Sequence, residues 1–296
     1  MTLETPQTSP DDVVRLTAGD WSATLAPGLG GTILSLEKAG RAIFRPSPED
    51  ASDILDTACF PLVPYANRIA DGRFTFGGRE IMLPVLPRFA PHALHGDGWL
   101  RAWSVEQGGD GSVTLGLKGG GDHWPWPWTA TQTITLSEQG LRIDLSMTND
   151  ATEPAPAGLG LHPYFHRSAD MALRLASSGV WLTDAREIPS RLAPPGDIAD
   201  WTSGLTVSQA PFVDHAYAGW DGRAVLCDAS GDIVMTASDT CRWTQVYAPP
   251  GEHFVCVEPV THRPDAVHAP VDEDPGLVVL RPGEALSIWM TVGTHR

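Results

Sequence analysis

The chain of 296 residues carries a formal net charge of −16, with 20 basic against 36 acidic residues. Such a surface repels phosphate backbones and anionic membranes, which argues against nucleic acid and membrane partners and leaves a neutral small molecule as the simplest ligand. With 42% hydrophobic and only 19% charged residues, the chain is neither a disordered polymer nor a coiled coil, and 30 glycines and 26 prolines suit short strands and tight turns.

The first twelve residues are polar and acidic, without a basic start or an apolar run, and read as a flexible tail over 1–12 ahead of a single β-sandwich domain over 13–296. From there alternation with period two dominates, at 21–25, 32–36, 73–76, 112–117, 131–136, 141–147, 224–227, 233–237 and 286–291. Turn signals fall between these runs, as in Phe76-Gly77-Gly78-Arg79, Asp221-Gly222 and Ser230-Gly231-Asp232. Residues 132–149 read as a hairpin with Gln139-Gly140 at its tip. Helical periodicity is weak throughout; only 47–57 is expected to form a short helix. The pattern predicts an all-β fold, one large antiparallel sandwich.

No segment approaches the ~20 apolar residues of a membrane span, and Cys59, Cys227, Cys241 and Cys256 are scattered without a C-x-x-C pair. A soluble, cytoplasmic protein with buried free thiols is expected.

Four polar islands interrupt the apolar chain. Asn67-Arg68-Ile69 follows a proline-rich stretch; Pro91-His92-Ala93-Leu94-His95-Gly96 sets two imidazoles beside a glycine; His162 sits inside Gly160-Leu161-His162-Pro163-Tyr164-Phe165; and Glu258 ends the run Phe254-Val255-Cys256-Val257. Taken alone, each histidine reads as a hydrogen-bonded structural residue and Glu258 as half of an ion pair, because buried polar groups need partners. Their convergence, with their flanks, points instead to a site.

Those flanks resemble the aldose 1-epimerase (galactose mutarotase) family, in order, from about Leu25 to the C-terminus. The matching blocks are Pro64-Tyr65-Ala66-Asn67-Arg68-Ile69-Ala70-Asp71-Gly72-Arg73-Phe74, His92-Ala93-Leu94-His95-Gly96, Pro125-Trp126, Gly160-Leu161-His162-Pro163-Tyr164-Phe165, Val213-Asp214-His215, Glu258-Pro259-Val260-Thr261 and Leu280-Arg281-Pro282-Gly283-Glu284. The resemblance implies a β-supersandwich with an open cleft, and an isomerase that interconverts the anomers of a free monosaccharide.

Mutarotation takes a proton from the C1 hydroxyl and gives one to the ring oxygen, so a base and an acid suffice and no cofactor or metal is called for. By resemblance Glu258 is the base and His162 the acid, with nearby carboxylates expected to favour the protonated imidazole. His95 would bind the ring oxygen or a neighbouring hydroxyl, while Asp214, Arg68 and Asn67 would hold the sugar. His92 is a candidate for a supporting role, and the tryptophans of 122–128 for the cleft rim. Where the family often has asparagine this chain has His268, which would bear on subsite preference.

Four other readings compete. A phosphosugar epimerase of the same fold would need extra cations, for which Arg45, Arg88 and Arg101 would have to cluster. A zinc hydrolase would use pairs such as His92 and His95, which lack the helical spacing of such sites. A glycosidase would pair Glu258 with Asp214. A non-catalytic carbohydrate-binding protein would need no base and acid together. Monomer and homodimer both fit the sequence.

Overall fold

The structure, a computed structural model, describes residues 13–295; the expected tail over 1–12 lies outside them. Among the described residues the chain consists of strands, turns and isolated 3-10 turns, with no α-helix. The helix expected over 47–57 is reduced to one 3-10 turn, Ile54–Asp56, capped by the Asp53 carboxylate on the Leu55 amide. A segment so short gains too little from its own hydrogen bonds to hold a helix.

Two large antiparallel sheets carry the fold. The eleven-stranded sheet runs Val14–Ala18, Trp21–Ala26, Thr32–Lys38, Cys59–Leu62, Gly160–His166, Phe254–Val260, Trp243–Ala248, Val213–Ala218, Gly179–Thr183 and Pro189–Ala193, with Arg41–Ala42 added on Thr32–Lys38. The nine-stranded sheet is centred on Trp128–Ser137, Gly140–Asn149 and Ala285–His295. Side chains alternate across each strand. One set, including Leu161, Phe165, Val255 and Val257 from the first sheet and Ile143, Leu145, Leu226 and Met290 from the second, meets in a single apolar core. The opposite face of the first sheet carries a second cluster, in which Phe60, Tyr164, Phe254 and Cys256 pack with Ile54 and Trp99 from overlying loops.

The middle of the first sheet is therefore buried on both sides. All seven residues of Phe254–Val260 are buried, as are the first six of Gly160–His166. By contrast Trp128–Ser137 alternates buried and half-buried residues without a break, because one of its faces meets water.

The 132–149 hairpin forms, but Ser137 pairs with Gly140, so Glu138-Gln139 makes the tip. Gly140 is already in the strand with φ +128, where a Cβ would come within 2.1 Å of the Val292 carbonyl oxygen. Its glycine serves the neighbouring strand rather than the turn. The tryptophans of 122–128 are not a cleft rim: Trp124, Trp126 and Trp128 are buried in the core, where Trp124 packs against Tyr65 and Phe74. All four cysteines are free thiols. Among the described residues no helix is long and apolar enough to cross a membrane.

Candidate active site

The floor of the site is written by strand register. Gly160 pairs with Val260 and Tyr164 with Cys256, which sets His162 across from Glu258. Phe60 pairs with His162 on one side and Gln245 with Glu258 on the other. Directly paired residues share a face, so Phe60, His162, Glu258 and Gln245 form one row across the outer face of the eleven-stranded sheet.

His162 Nε2 lies 3.3 Å from Glu258 Oε1. The imidazole packs against both Phe60 and Tyr164, with each centroid distance 4.7 Å and those two rings 6.2 Å apart, and its Nδ1 has no hydrogen-bond partner. Burial governs the charge of both groups: it lowers His162 to about 3, helped by the Arg45 guanidinium, and it raises Glu258 well above the carboxylate range, with the Asp214 carboxylate adding to the effect. The expectation that carboxylates would hold His162 protonated is thus corrected, since desolvation outweighs their attraction. Both shifts favour the uncharged forms, a neutral imidazole beside a carboxylic acid.

The wall is built by two loop segments joined through a short pairing of Arg68–Ile69 with Ala93–Leu94. Asn67 and His95 both adopt left-handed backbone, φ +58 and +59, a conformation that costs about 1–3 kcal/mol for a side chain like histidine's unless the surroundings enforce it. Here they do. The His95 amide donates to the Asn67 carbonyl at 3.0 Å, and the Asn67 amide donates to His95 Nδ1 at 3.0 Å. An accepting Nδ1 leaves the ring proton on Nε2. Burial, together with His162 and Arg68, keeps His95 well below the usual histidine range, so it is a neutral N–H donor.

Arg68 reaches Glu187 at 2.5 Å and Asp214 at 3.6 Å. Asp214 also accepts from Gln245 Nε2 at 2.5 Å. Around these groups lies a cleft of about 300 Å³, lined among others by Arg45, Asn67, Phe89, Tyr164, Tyr247 and Phe254. This is the lower end of small-molecule sites, room for a single sugar ring.

The structure thus brings all six residues singled out from the sequence, Glu258, His162, His95, Asp214, Arg68 and Asn67, to one cleft. His92 stands behind it: its Nδ1 accepts from the Asp71 amide and its Nε2 meets the Arg186 carbonyl, both at 3.0 Å. Those bonds occupy both ring nitrogens, so His92 and His95 do not form a chelating pair. His268 does not line the cleft; its Nδ1 lies 2.7 Å from Asp265 Oδ1, which also accepts from the Ala70 amide and so braces the Arg68 loop. Of the three arginines weighed for phosphate, only Arg45 lines the cleft, because Arg88 is paired with Asp53 and Arg101 with Asp97. His162, Cys256 and Glu258 offer ligand atoms within 4.8 Å of one another. Without an ion, burial pushes the Cys256 thiol well above its ordinary value. Gln245 and Glu187 carry no signal in the sequence, and Gln245 is found only by pairing its strand with that of Glu258.

Residues 12–293 match the family model described as aldose 1-epimerase. The chain is 30% identical over 288 residues to the uncharacterized protein YphB of Escherichia coli (strain K12), covering 89% of this chain and 92% of that one. Among solved structures it resembles a candidate aldose 1-epimerase from Escherichia coli K12, with TM-score 0.87, 28% identity and coverage of 96% and 98% of the two chains. A galactose mutarotase-like protein from Clostridium acetobutylicum shares the fold at TM-score 0.85 and 20% identity, covering 96% and 95%.

Proposed function

Since the chain belongs to the aldose 1-epimerase family, we propose that it is an isomerase that interconverts the α and β anomers of a free aldose, with Glu258 and His162 exchanging protons at the hemiacetal. The observation that carries this reading is the 3.3 Å contact between His162 Nε2 and Glu258 Oε1 in a cleft sized for one sugar.

The two oxygens to be addressed, O1 and the ring oxygen, sit on the same carbon, so an acid and a base placed side by side can reach both. The neutral pair and its tautomer, carboxylate with imidazolium, hold the same number of protons. A cyclic sugar engages the ionised tautomer: Glu258 takes the O1 proton, His162 gives its Nε2 proton to the ring oxygen, the C1–O5 bond breaks, and the pair is left neutral beside the aldehyde. Rotation about C1–C2 presents the other face. The C5 hydroxyl then returns its proton to His162 as O5 attacks C1, and Glu258 protonates O1. Protons balance without exchange with solvent.

In this reading the Nε2–H of His95 bonds the ring oxygen or a neighbouring hydroxyl, while Arg68, Asp214 and Asn67 bind hydroxyls. The four unpaired thiols support a reducing, cytoplasmic setting. The test is polarimetry on freshly dissolved α-D-glucose and α-D-galactose. Wild type should outpace the spontaneous rate, and Glu258→Gln should lose about 10²–10⁴-fold in kcat/KM, the range for removing a general base. A Glu258→Gln protein as fast as wild type sinks the assignment of the base.

A further inference from the structure

Arg45 sits in the cleft with a charge that no carboxylate among the described residues pairs. Its guanidinium lies over Tyr164, with Cζ 3.9 Å from the ring centroid, and flanks Phe254 at 4.8 Å. Its protein hydrogen bonds engage Nη2 alone, which donates to the carbonyls of Leu55 and Thr57 at 2.6 and 2.5 Å. Nε is buried without a partner. Among the described residues Arg45 forms no salt bridge, whereas Arg68, the other guanidinium of the cleft, is held by Glu187 and Asp214. Among the described residues Arg45 is thus the guanidinium of the cleft without a carboxylate partner.

Its position is informative too. Tyr164 touches both groups: its ring centroid lies 4.7 Å from that of the reacting imidazole, His162, and 3.9 Å from the Arg45 Cζ. The substituent on C5 of a pyranose lies within a few ångströms of the anomeric carbon, so a sugar held at Glu258 and His162 can bring that substituent to the guanidinium. One unmatched cation suits one negative charge; a phosphate dianion would leave a surplus charge inside a chain that is already at −16.

We propose that Arg45 binds the carboxylate of a hexuronic acid, so that the preferred substrate is a uronate rather than a neutral hexose. The inference rests on the epimerase reading for its chemistry, but the subsite can be tested apart from it. Anomer exchange of D-glucuronate, D-galacturonate, D-glucose and D-glucose 6-phosphate would be followed by NMR with wild type, Arg45→Gln and Arg45→Lys. Gln can still donate to a loop carbonyl, and Lys keeps the charge.

The expected result is a uronate preference that falls about 10- to 100-fold in Arg45→Gln, the weight of a charge-assisted hydrogen bond, and is partly restored in Arg45→Lys. The quantity read is the ratio of kcat/KM for uronate to that for glucose, which a merely structural role of Arg45 would leave unchanged. Equal loss on both sugars, or no preference in wild type, overturns the subsite. A preference for the 6-phosphate overturns the carboxylate and assigns Arg45 to phosphate. If no aldose exchanges faster than in buffer, the epimerase reading fails. Calorimetric titration of glucuronate then decides the subsite: binding by wild type that Arg45→Gln loses sustains it, and equal or absent binding ends it.

Discussion

The two large sheets use the same backbone against different surroundings. On the outer face of the nine-stranded sheet, hydroxyls answer one another across strands: Thr114 with Thr133 at 3.0 Å, Ser112 with Thr135 at 3.1 Å and Thr236 with Thr291 at 2.6 Å. On the outer face of the eleven-stranded sheet, polar atoms are buried and left over: His162 Nδ1, Gln245 Oε1 and Arg45 Nε have no partner. Left-handed backbone at Asn67 and His95 adds strain to the same place. Local satisfaction marks the wet face of the nine-stranded sheet. Unsatisfied groups on a rigid floor support the proposed ligand site, because a polar atom kept dry and unpaired lowers stability unless something else selects for it.

The contrast can be broken most sharply by comparing Leu145→Ala with Glu258→Gln. Leu145 is fully buried in the core under the nine-stranded sheet, and removing its side chain should cost about 2–5 kcal/mol in chemical denaturation, with kcat of the folded fraction unchanged. Glu258→Gln should do the reverse, keeping or raising stability while the rate collapses. The sign follows from burial: the folded protein holds the Glu258 proton more tightly than the unfolded chain does. Wild type therefore loses stability as pH rises above the ordinary value of 4.5, a loss that the glutamine escapes. The difference in Tm between the two proteins should widen upward from that pH. A Glu258→Gln protein less stable than wild type at neutral pH would show that the pair supports the fold.

A second, smaller effect sharpens the picture of the pair. Mutarotation by the proposed route needs one shared proton. Activity should therefore fall on the alkaline side as the acid form of Glu258 is lost, and on the acid side only when His162 also protonates, near pH 3. Ordinary carboxylate and imidazole groups would instead give limbs near 4.5 and 6.5. An acid limb of kcat/KM near 4.5 would mean that substrate-free burial does not set the working protonation.

The same contrast decided what could be read in the sequence. Strands with one wet face announced themselves by alternation, and 131–136, 141–147, 233–237 and 286–291 all fall inside observed strands. Cys59–Leu62, Trp243–Ala248 and Phe254–Val260 gave no such signal, because burial on both faces removes the polar half of the pattern. His162 and Glu258 stood out for that very reason, as polar residues in runs that are otherwise apolar. Gln245 did not, and Arg45 surfaced only as one of three candidate cations, because what places them in the cleft is cross-strand register and packing on Tyr164, neither of which is written locally. The misread tryptophans of 122–128 have the same origin: nothing local distinguishes an indole facing Phe74 from one facing a sugar.

The smallest expected effect is the most discriminating between the sheets. Thr133→Val removes one hydroxyl of a half-buried pair on the wet face. Water can replace the lost partner of Thr114, and valine suits a strand, so stability should change by about 0.5 kcal/mol or less and the rate not at all. Gln245→Leu removes one amide from a pair of similar local geometry in the cleft, where the Asp214 carboxylate loses its 2.5 Å donor and turns wholly to Arg68. Stability should again move little, because the unpartnered Gln245 Oε1 disappears with the amide. The KM for the sugar should rise severalfold, since Asp214 is no longer held toward the ligand. If both substitutions were equally silent in KM, the cleft face would be as self-sufficient as the wet one, and the link drawn between leftover polar atoms and ligand binding would fail.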